Sequence, residues 1–356
     1  MTLQELGYTS RLERYKMEHL PEHLAVGRVL AAHKERYTVG TGEGSFEAEV
    51  TGHMRFTAGS REDFPAVGDW VSLMVYGSGL AIIHGILPRD TVIKRQLPGH
   101  AGEAQVIAAN VDYAFIVQSA DRDFNLNRTE RYLTLCHESG VAPVIVLTKT
   151  DLVDEQAVTG ACESLRERIP GIPVLPVSNE TRQGLRELAA HMEPGKTYCL
   201  LGSSGVGKST LLNLLAGGDL MRTGATSLST SKGRHTTSHR ELFVLPSGGI
   251  LIDNPGMREV GIADAGGGLD RTFDRILHLS EECRYKDCTH TSEAGCAVLQ
   301  AVETGDLDPD AYENFLKLAR EKAHFETSAA ERRRKERQFG KILRDYQKKD
   351  VKQRKK

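Results

Sequence analysis

Residues 197–215, TYCLLGSSGVGKSTLLNLL, decide the fold. An apolar run (Thr197 to Leu201) leads into Gly202-Ser203-Ser204-Gly205-Val206-Gly207-Lys208-Ser209. That octet has the spacing G-x-x-x-x-G-K-[ST], and a leucine-rich helical pattern follows it. A strand, a glycine-rich turn and a helix start in that order form a cradle for phosphate: backbone N–H groups wrap the oxygens and the helix dipole favours negative charge. Lys208 is placed to reach the β- and γ-phosphates and Ser209 to ligate Mg²⁺. The candidate phosphate-binding residues are Gly202, Ser203, Ser204, Gly205, Val206, Gly207, Lys208, Ser209 and Thr210.

Outward from this loop, further motifs stand at strand ends. Asp253-Asn254-Pro255-Gly256 closes the run GILI; an Asp there can hold Mg²⁺ and the N–H of Gly256 can meet a γ-phosphate. Thr148-Lys149-Thr150-Asp151 closes APVIVLTKTD. A carboxylate at Asp151 can accept from guanine N1–H and its 2-amino group, donors that adenine lacks, and the stem of Lys149 can cover the base. Ser178, in Pro176-Val177-Ser178, supplies a second base-side loop. The base-side motifs therefore precede the phosphate loop, the reverse of the usual Ras-like order. The same sheet can be joined elsewhere because domain termini often lie close together.

Strand-like and helical runs alternate from about 101 to 260, the pattern of a doubly wound α/β sheet. Between Leu24 and Gln96 the runs VGRVLAAH, RYTVGTG, SFEAEVTGHM, DWVSLMVY and LAIIHGIL read as five short strands, the count of an OB-type barrel. The expected division is a helical lead-in over 1–22, a barrel over 23–98, the α/β domain over 99–262 and a helical region with a charged tail over 263–356.

Cys283-x₄-Cys288-x-His290-x₅-Cys296 offers three thiolates and an imidazole, the donor set of a closed tetrahedral Zn²⁺ site with structural rather than catalytic use. One Zn²⁺ per chain is expected. Cys136, Cys162 and Cys199 lie among apolar neighbours and read as packed, reduced thiols. Residues 320–356 carry 15 Lys and Arg against 6 Asp and Glu, on a body with a net charge of −11. A basic tail on an acidic body points to a polyanionic partner, RNA above all. No apolar run reaches the roughly 20 residues that span a bilayer, and the N-terminus has no signal-peptide pattern. A cytoplasmic monomer without a membrane partner is the expectation.

These motifs together resemble the ribosome small subunit-dependent GTPase A family, a branch of the circularly permuted GTPases. The likeness covers nearly the whole chain: barrel, permuted α/β domain, Cys₃His knuckle and basic helical tail. It implies GTP binding and hydrolysis in late maturation of the small ribosomal subunit, with contact to its rRNA and turnover stimulated by that subunit. It also places Gly233-Arg234-His235-Thr236-Thr237 in the first switch, with Thr236 and Thr237 toward Mg²⁺ and the γ-phosphate and His235 positioning the attacking water. Met257 stands where Ras-type proteins carry Gln, and a thioether is a weak hydrogen-bonding group. A GTP-controlled RNA-binding module without catalysis is the alternative. A small-molecule P-loop kinase leaves Asp151, the cysteine cluster and the tail unexplained.

Overall fold

The computed structural model describes residues 1–33, 36–77, 79–97, 103–218, 240–254 and 267–353. Helix α1 (Ser10–His19) starts at Thr9, whose hydroxyl accepts from Leu12 N, and packs Leu12 inward. Five strands follow: β1 (Ala25–His33), β2 (Arg36–Thr41), β3 (Gly44–Val50), β4 (Trp70–Tyr76) and β5 (Leu80–Ile86), with helix α2 (Gly52–Thr57) between β3 and β4. The run read as extended through Met54 thus ends at Val50. The Thr51 hydroxyl accepts from Met54 N at 3.2 Å, and that cap starts a helical turn where apolar alternation alone reads as strand.

The five strands pair in the order β1-β2-β3-β5-β4, and β4 closes back on β1. Only β3 and β5 run parallel among them. This is a Greek-key barrel of the OB type. Val29, Val39, Val71, Leu73 and Ile83 fill it. Asp69, fully buried beneath it, accepts from Arg89 Nε at 2.8 Å and Nη2 at 2.7 Å. Removing one member of such a buried pair costs about 3–5 kcal/mol, because the other charge is stranded.

A hairpin of β6 (Val92–Gln96) and β7 (Ala104–Ala109) then leads into the α/β region. There β8 (Tyr113–Ser119), α3 (Leu126–Ser139), β9 (Ala142–Thr148), α4 (Glu155–Arg168), β10 (Val174–Pro176), α5 (Leu185–Ala190), β11 (Thr197–Leu201), α6 (Lys208–Ala216), β12 (Arg240–Val244) and β13 (Ile250–Asp253) follow in chain order. Their sheet order is β10-β9-β8-β11-β13-β12, all parallel except β12. Successive side chains of the central strands face opposite layers. Ala114 and Ile116 of β8 join one apolar cluster with Cys199 and Leu201 of β11, while Phe115, Val117, Tyr198 and Leu200 join the other.

The barrel and the α/β sheet are one continuous sheet. Ala31 and Ala32 of β1 pair with Glu241 and Arg240 of β12. Arg28 reinforces the join: fully buried, it donates to Leu6 O (2.6 Å), Gly68 O (3.2 Å), Asn110 O (3.1 Å) and Thr197 Oγ1 (2.9 Å), and lies over the Trp70 ring. One cation therefore ties the lead-in, the barrel and two segments of the α/β domain. Last come α7 (Gly268–Thr272), α8 (Asp274–Glu281), α9 (Ala297–Thr304) and α10 (Pro309–Gln353), with a smaller apolar core around Phe273, Val298 and Leu318. Arg131 of α3 grips Glu321 of α10 through two bonds, at 2.6 and 2.7 Å. Among the described residues no helix is long and apolar enough to cross a membrane.

Candidate functional site

The carboxyl ends of β9, β10, β11 and β13 meet at one edge of the sheet, the place where open α/β sheets bind ligands. Four of the motif segments are carried there. A cleft of about 410 Å³ bordered by Tyr8, Arg28, Asp112 and Thr197 opens at the opposite, amino ends of β8 and β11.

The phosphate loop runs from the end of β11 to the start of α6. Gly202 has φ +153°, and a Cβ there would stand 2.4 Å from Val117 O. Gly207 has φ +93°, and its Cβ would stand 2.6 Å from Asn179 Nδ2. Glycine is required at Gly202 by backbone conformation and by the carbonyl behind it, and at Gly207 by its left-handed backbone. Lys208 Nζ donates to Gly202 O at 2.8 Å and Ser203 O at 2.6 Å, so its ammonium lies across the loop mouth. Burial pushes that ammonium down to about 8, against the opposing pull of Asp253. Asp253 is itself buried and its carboxyl is pushed up by desolvation, with Lys208 opposing. Beside it, both side-chain polar atoms of the buried Asn254 have no hydrogen-bond partner among the described residues. Ser209 is half-buried and Thr210 exposed in the first turn of α6.

On the base side, Asp151 Oδ1 accepts from Ser178 Oγ at 2.6 Å, and Ser178 Oγ in turn accepts from Glu180 N and Thr181 N. Asp151 is exposed. Thr148 is fully buried, and its hydroxyl donates to Val206 O at 2.7 Å, so it ties the base-side strand to the phosphate loop. Lys149 takes φ +58° and its Nζ donates to Asp121 Oδ2 at 2.9 Å. Burial raises the Asp121 carboxyl, but bonds from Lys149, Asp123 N and Ser119 prevail and hold it below its ordinary value. Among the described site residues, Thr148, Lys149, Asp151, Ser178, the phosphate loop and Asp253 thus lie on one sheet edge. His235, Thr236, Thr237 and Gly256 lie outside the described residues, as does Met257.

Three contacts at this edge were not read from the sequence. Asn179 Nδ2 donates to Gly207 O at 3.0 Å. Arg128, on the first turn of α3, donates to Ser203 Oγ at 3.1 Å. Asp121 receives Lys149. Each follows a strand end on the carboxyl edge, which was the available signal, but none belongs to a contiguous motif.

The cysteine cluster sits between α8 and α9. Cys283 Sγ lies 3.8 Å from Cys296 Sγ and 3.6 Å from His290 Nδ1, and Cys296 Sγ lies 3.5 Å from His290 Nδ1. The four candidate ligand atoms of Cys283, Cys288, His290 and Cys296 fall within 4.8 Å of one another. A tetrahedral ion with metal–sulfur bonds of about 2.3 Å has S···S edges of about 3.8 Å, so the donor set and its spacing fit a metal ion. His290 holds φ +58°, and its carbonyl accepts from Tyr312 Oη of α10 at 2.5 Å, which links the cluster to the long helix. Cys136, Cys162 and Cys199 are buried and unpaired.

Comparison with known proteins agrees with this arrangement. The family model described as RsgA GTPase matches residues 86–263. An ABC transporter model matches 185–355, less than half of the chain and without the base-side motifs at 148–151 and 176–178. A small ribosomal subunit biogenesis GTPase RsgA 1 of Listeria innocua is 44% identical over 324 residues, 91% of this chain and 90% of that protein. Its namesake from Bacteroides thetaiotaomicron is 39% identical over 344 residues, 96% of each chain. Among solved structures, YjeQ from Thermotoga maritima superposes with a TM-score of 0.61 at 26% identity, over 83% of this chain and 97% of that one. YloQ, described as a circularly permuted GTPase, gives 0.59 at 26% identity, over 88% and 98%. Matched by that family model over half of its length and by relatives about 40% identical over nine-tenths of it or more, the chain belongs to the RsgA GTPase family.

Proposed function

We propose that this chain is a GTP hydrolase that acts in maturation of the small ribosomal subunit, binds that subunit through its rRNA and is stimulated by it. The observation that carries the reading is the convergence, at one carboxyl edge, of an exposed carboxylate braced by Ser178 with a phosphate loop capped by Lys208. Asp151 reads the guanine edge, Lys149 covers the base and Ser178 fixes Asp151. Loop N–H groups from Gly202 to Thr210 and the Lys208 ammonium receive the phosphates. An anion arriving between Lys208 and the loop replaces two carbonyl acceptors with a charge, a stronger partner for a half-buried cation. Ser209 and Asp253 hold the nucleotide's Mg²⁺, which supplies charge neutralisation at the β- and γ-phosphates. Thr236, Thr237 and Gly256 complete the γ-phosphate side, and His235 orients the water.

The Cys283–Cys288–His290–Cys296 set holds one structural Zn²⁺. The units run 1–22, 23–98, 99–262 and 263–356, the protein works as a cytoplasmic monomer, and it has no membrane partner. The test is phosphate release from GTP with and without small subunits, for the wild type and His235→Ala. Water-positioning groups are worth about 10²–10⁴-fold, so the variant should lose at least a hundredfold of stimulated turnover while GTP affinity holds. Wild-type hydrolysis indifferent to small subunits would favour the alternative, an RNA-binding module that uses GTP as a conformational ligand.

A further inference from the structure

Away from the nucleotide edge and the cysteine cluster, two arginines share one neutral acceptor. Arg95, on β6, and Arg240, the first residue of β12, are both half-buried. Arg95 Nη2 donates to Gln105 Oε1 at 3.3 Å and Arg240 Nη2 to the same oxygen at 3.4 Å. Arg240 Nη1 adds one further contact, to Val106 O at 3.4 Å, and Arg95 Nε is buried without a partner among the described residues. No carboxylate of the described residues pairs with either guanidinium.

This is not how the fold treats its other buried arginines. Arg89 has Asp69, Arg168 has Glu130 and Asp308, and Arg131 has Glu321. Arg28 lacks a direct carboxylate but spends its donors on four oxygens at 3.2 Å or closer. Arg95 and Arg240 bring about ten N–H donors and, among the described residues, meet two oxygens, at the long end of hydrogen-bond range. Burial pushes Arg240 down to about 10 and the neighbouring Arg95 charge adds to it; burial lowers Arg95 as well. Both stay cationic at neutral pH, so the fold keeps two like charges together in a partly desolvated place. Without an anion that arrangement is unfavourable on both counts.

We propose that Arg95 and Arg240, with Gln105 between them, form an oxyanion site for a phosphate group, separate from the nucleotide loop. Two Nη2 atoms that share an acceptor at these distances stand no further than about 7 Å apart, a span that two oxygens of one phosphate can bridge with charge-assisted bonds. The Gln105 amide can turn to present its NH₂ when the anion enters. The site joins two regions: Arg95 is on the hairpin that leaves the barrel, while Glu241, next to Arg240, pairs in register with Asp253 at the nucleotide edge. A backbone phosphate of RNA and a free phosphate ion share the required chemistry.

The experiment uses the full-length chain saturated with Mg²⁺ and a non-hydrolysable GTP analogue, so that the nucleotide loop is already filled. Inorganic phosphate is compared with chloride at matched ionic strength, with the melting temperature as the reading, for wild type, R95Q, R240Q and the double variant. In parallel, affinity for small subunits is measured against salt. Phosphate should raise the wild-type melting temperature and fail to raise that of the variants. If RNA is the source, the slope of log affinity against log salt should also fall in the double variant, by about 1–2. A lost phosphate response with an unchanged slope assigns the site to free phosphate; a reduced slope assigns it to RNA. A phosphate response and a slope both unaltered by the substitutions overturn the proposal. Without phosphate, R240Q should melt no lower than wild type, because it removes repulsion; a marked drop in both single variants, unrescued in R95K and R240K, would assign the arginines to the scaffold instead. Small subunits that fail to bind the wild type at all would count against the proposed function, while the phosphate arm would still judge the arginine pair.

Discussion

The Asp151–Ser178 contact and the cysteine cluster are both small polar sites, and they are held in opposite ways. Thr148 and Ser178 are buried at strand ends above large apolar layers, and their hydroxyls are bonded to neighbouring loops. That site keeps its shape through the fold beneath it. The cluster stands on a smaller core, with Cys283, Cys288 and His290 half-buried and three sulfurs and an imidazole facing one another. Reduced thiols gain little from that proximity, so the geometry makes sense around an ion. A recognition site rooted in a main core can wait for its ligand ready-made, whereas a knuckle on a smaller core, with its thiols facing one another, gains order from an ion.

The comparison breaks most readily at the cluster. Structural Zn²⁺ contributes on the order of 10 kcal/mol to small metal-bound segments. Chelation, or Cys296→Ser, should therefore release one zinc per chain and expose amides of residues 280–300 to rapid hydrogen exchange, while GDP affinity stays within a few-fold. Nucleotide binding lost together with the metal would show that the two sites are not independent. A smaller effect is expected at Asp151. Removing one partner of a desolvated charged contact costs about 2–5 kcal/mol, so Asp151→Asn should lose at least about thirtyfold in GDP affinity with the melting temperature unchanged. Displacement assays with GDP and ATP measure this, and wild-type protein that binds ATP equally well would end the guanine assignment. The smallest effect belongs to Ser178→Ala. The hydroxyl supports the carboxylate through one charge-assisted bond, worth about 1.5–3 kcal/mol, so GDP affinity should drop roughly ten- to hundredfold. Titration calorimetry showing no change would mean that the loop backbone alone sets the Asp151 position.

Much of this edge was legible because its motifs are contiguous. The phosphate loop, Thr148–Asp151 and Asp253 each announce themselves within a few residues, and strand runs before them place them at carboxyl ends. The Cys₃His spacing is equally local. What could not be read depends on pairs far apart in the chain. Arg28 meets Thr197, Arg128 meets Ser203, and Arg95 meets Arg240 through Gln105; no periodicity encodes such partnerships. Thr148 shows a subtler limit. Its residue type suggested a base-side role, yet its buried hydroxyl is spent on the Val206 carbonyl. The α2 turn escaped because Thr51 can end a strand or cap a helix, and only packing decides which. The joined sheet was equally hidden, since nothing in VGRVLAAH says that its last residues have a second neighbour in RELFV.

That shared strand has a consequence for how the chain is made. The outer edge of β1 leaves synthesis early, but β12, its partner, is roughly 200 residues downstream, a delay on the order of 10–40 s at ordinary elongation rates. The barrel can close on itself in that interval through β4, yet the edge of β1 at Ala31 and Ala32, paired with β2 on one side, must wait for its second neighbour. The permuted order adds a second wait: β8 and β9 emerge before β11, which flanks β8 on its other side. Nascent protein thus passes through a stage with two open strand edges, and it is the last α/β strands to be translated that seal them.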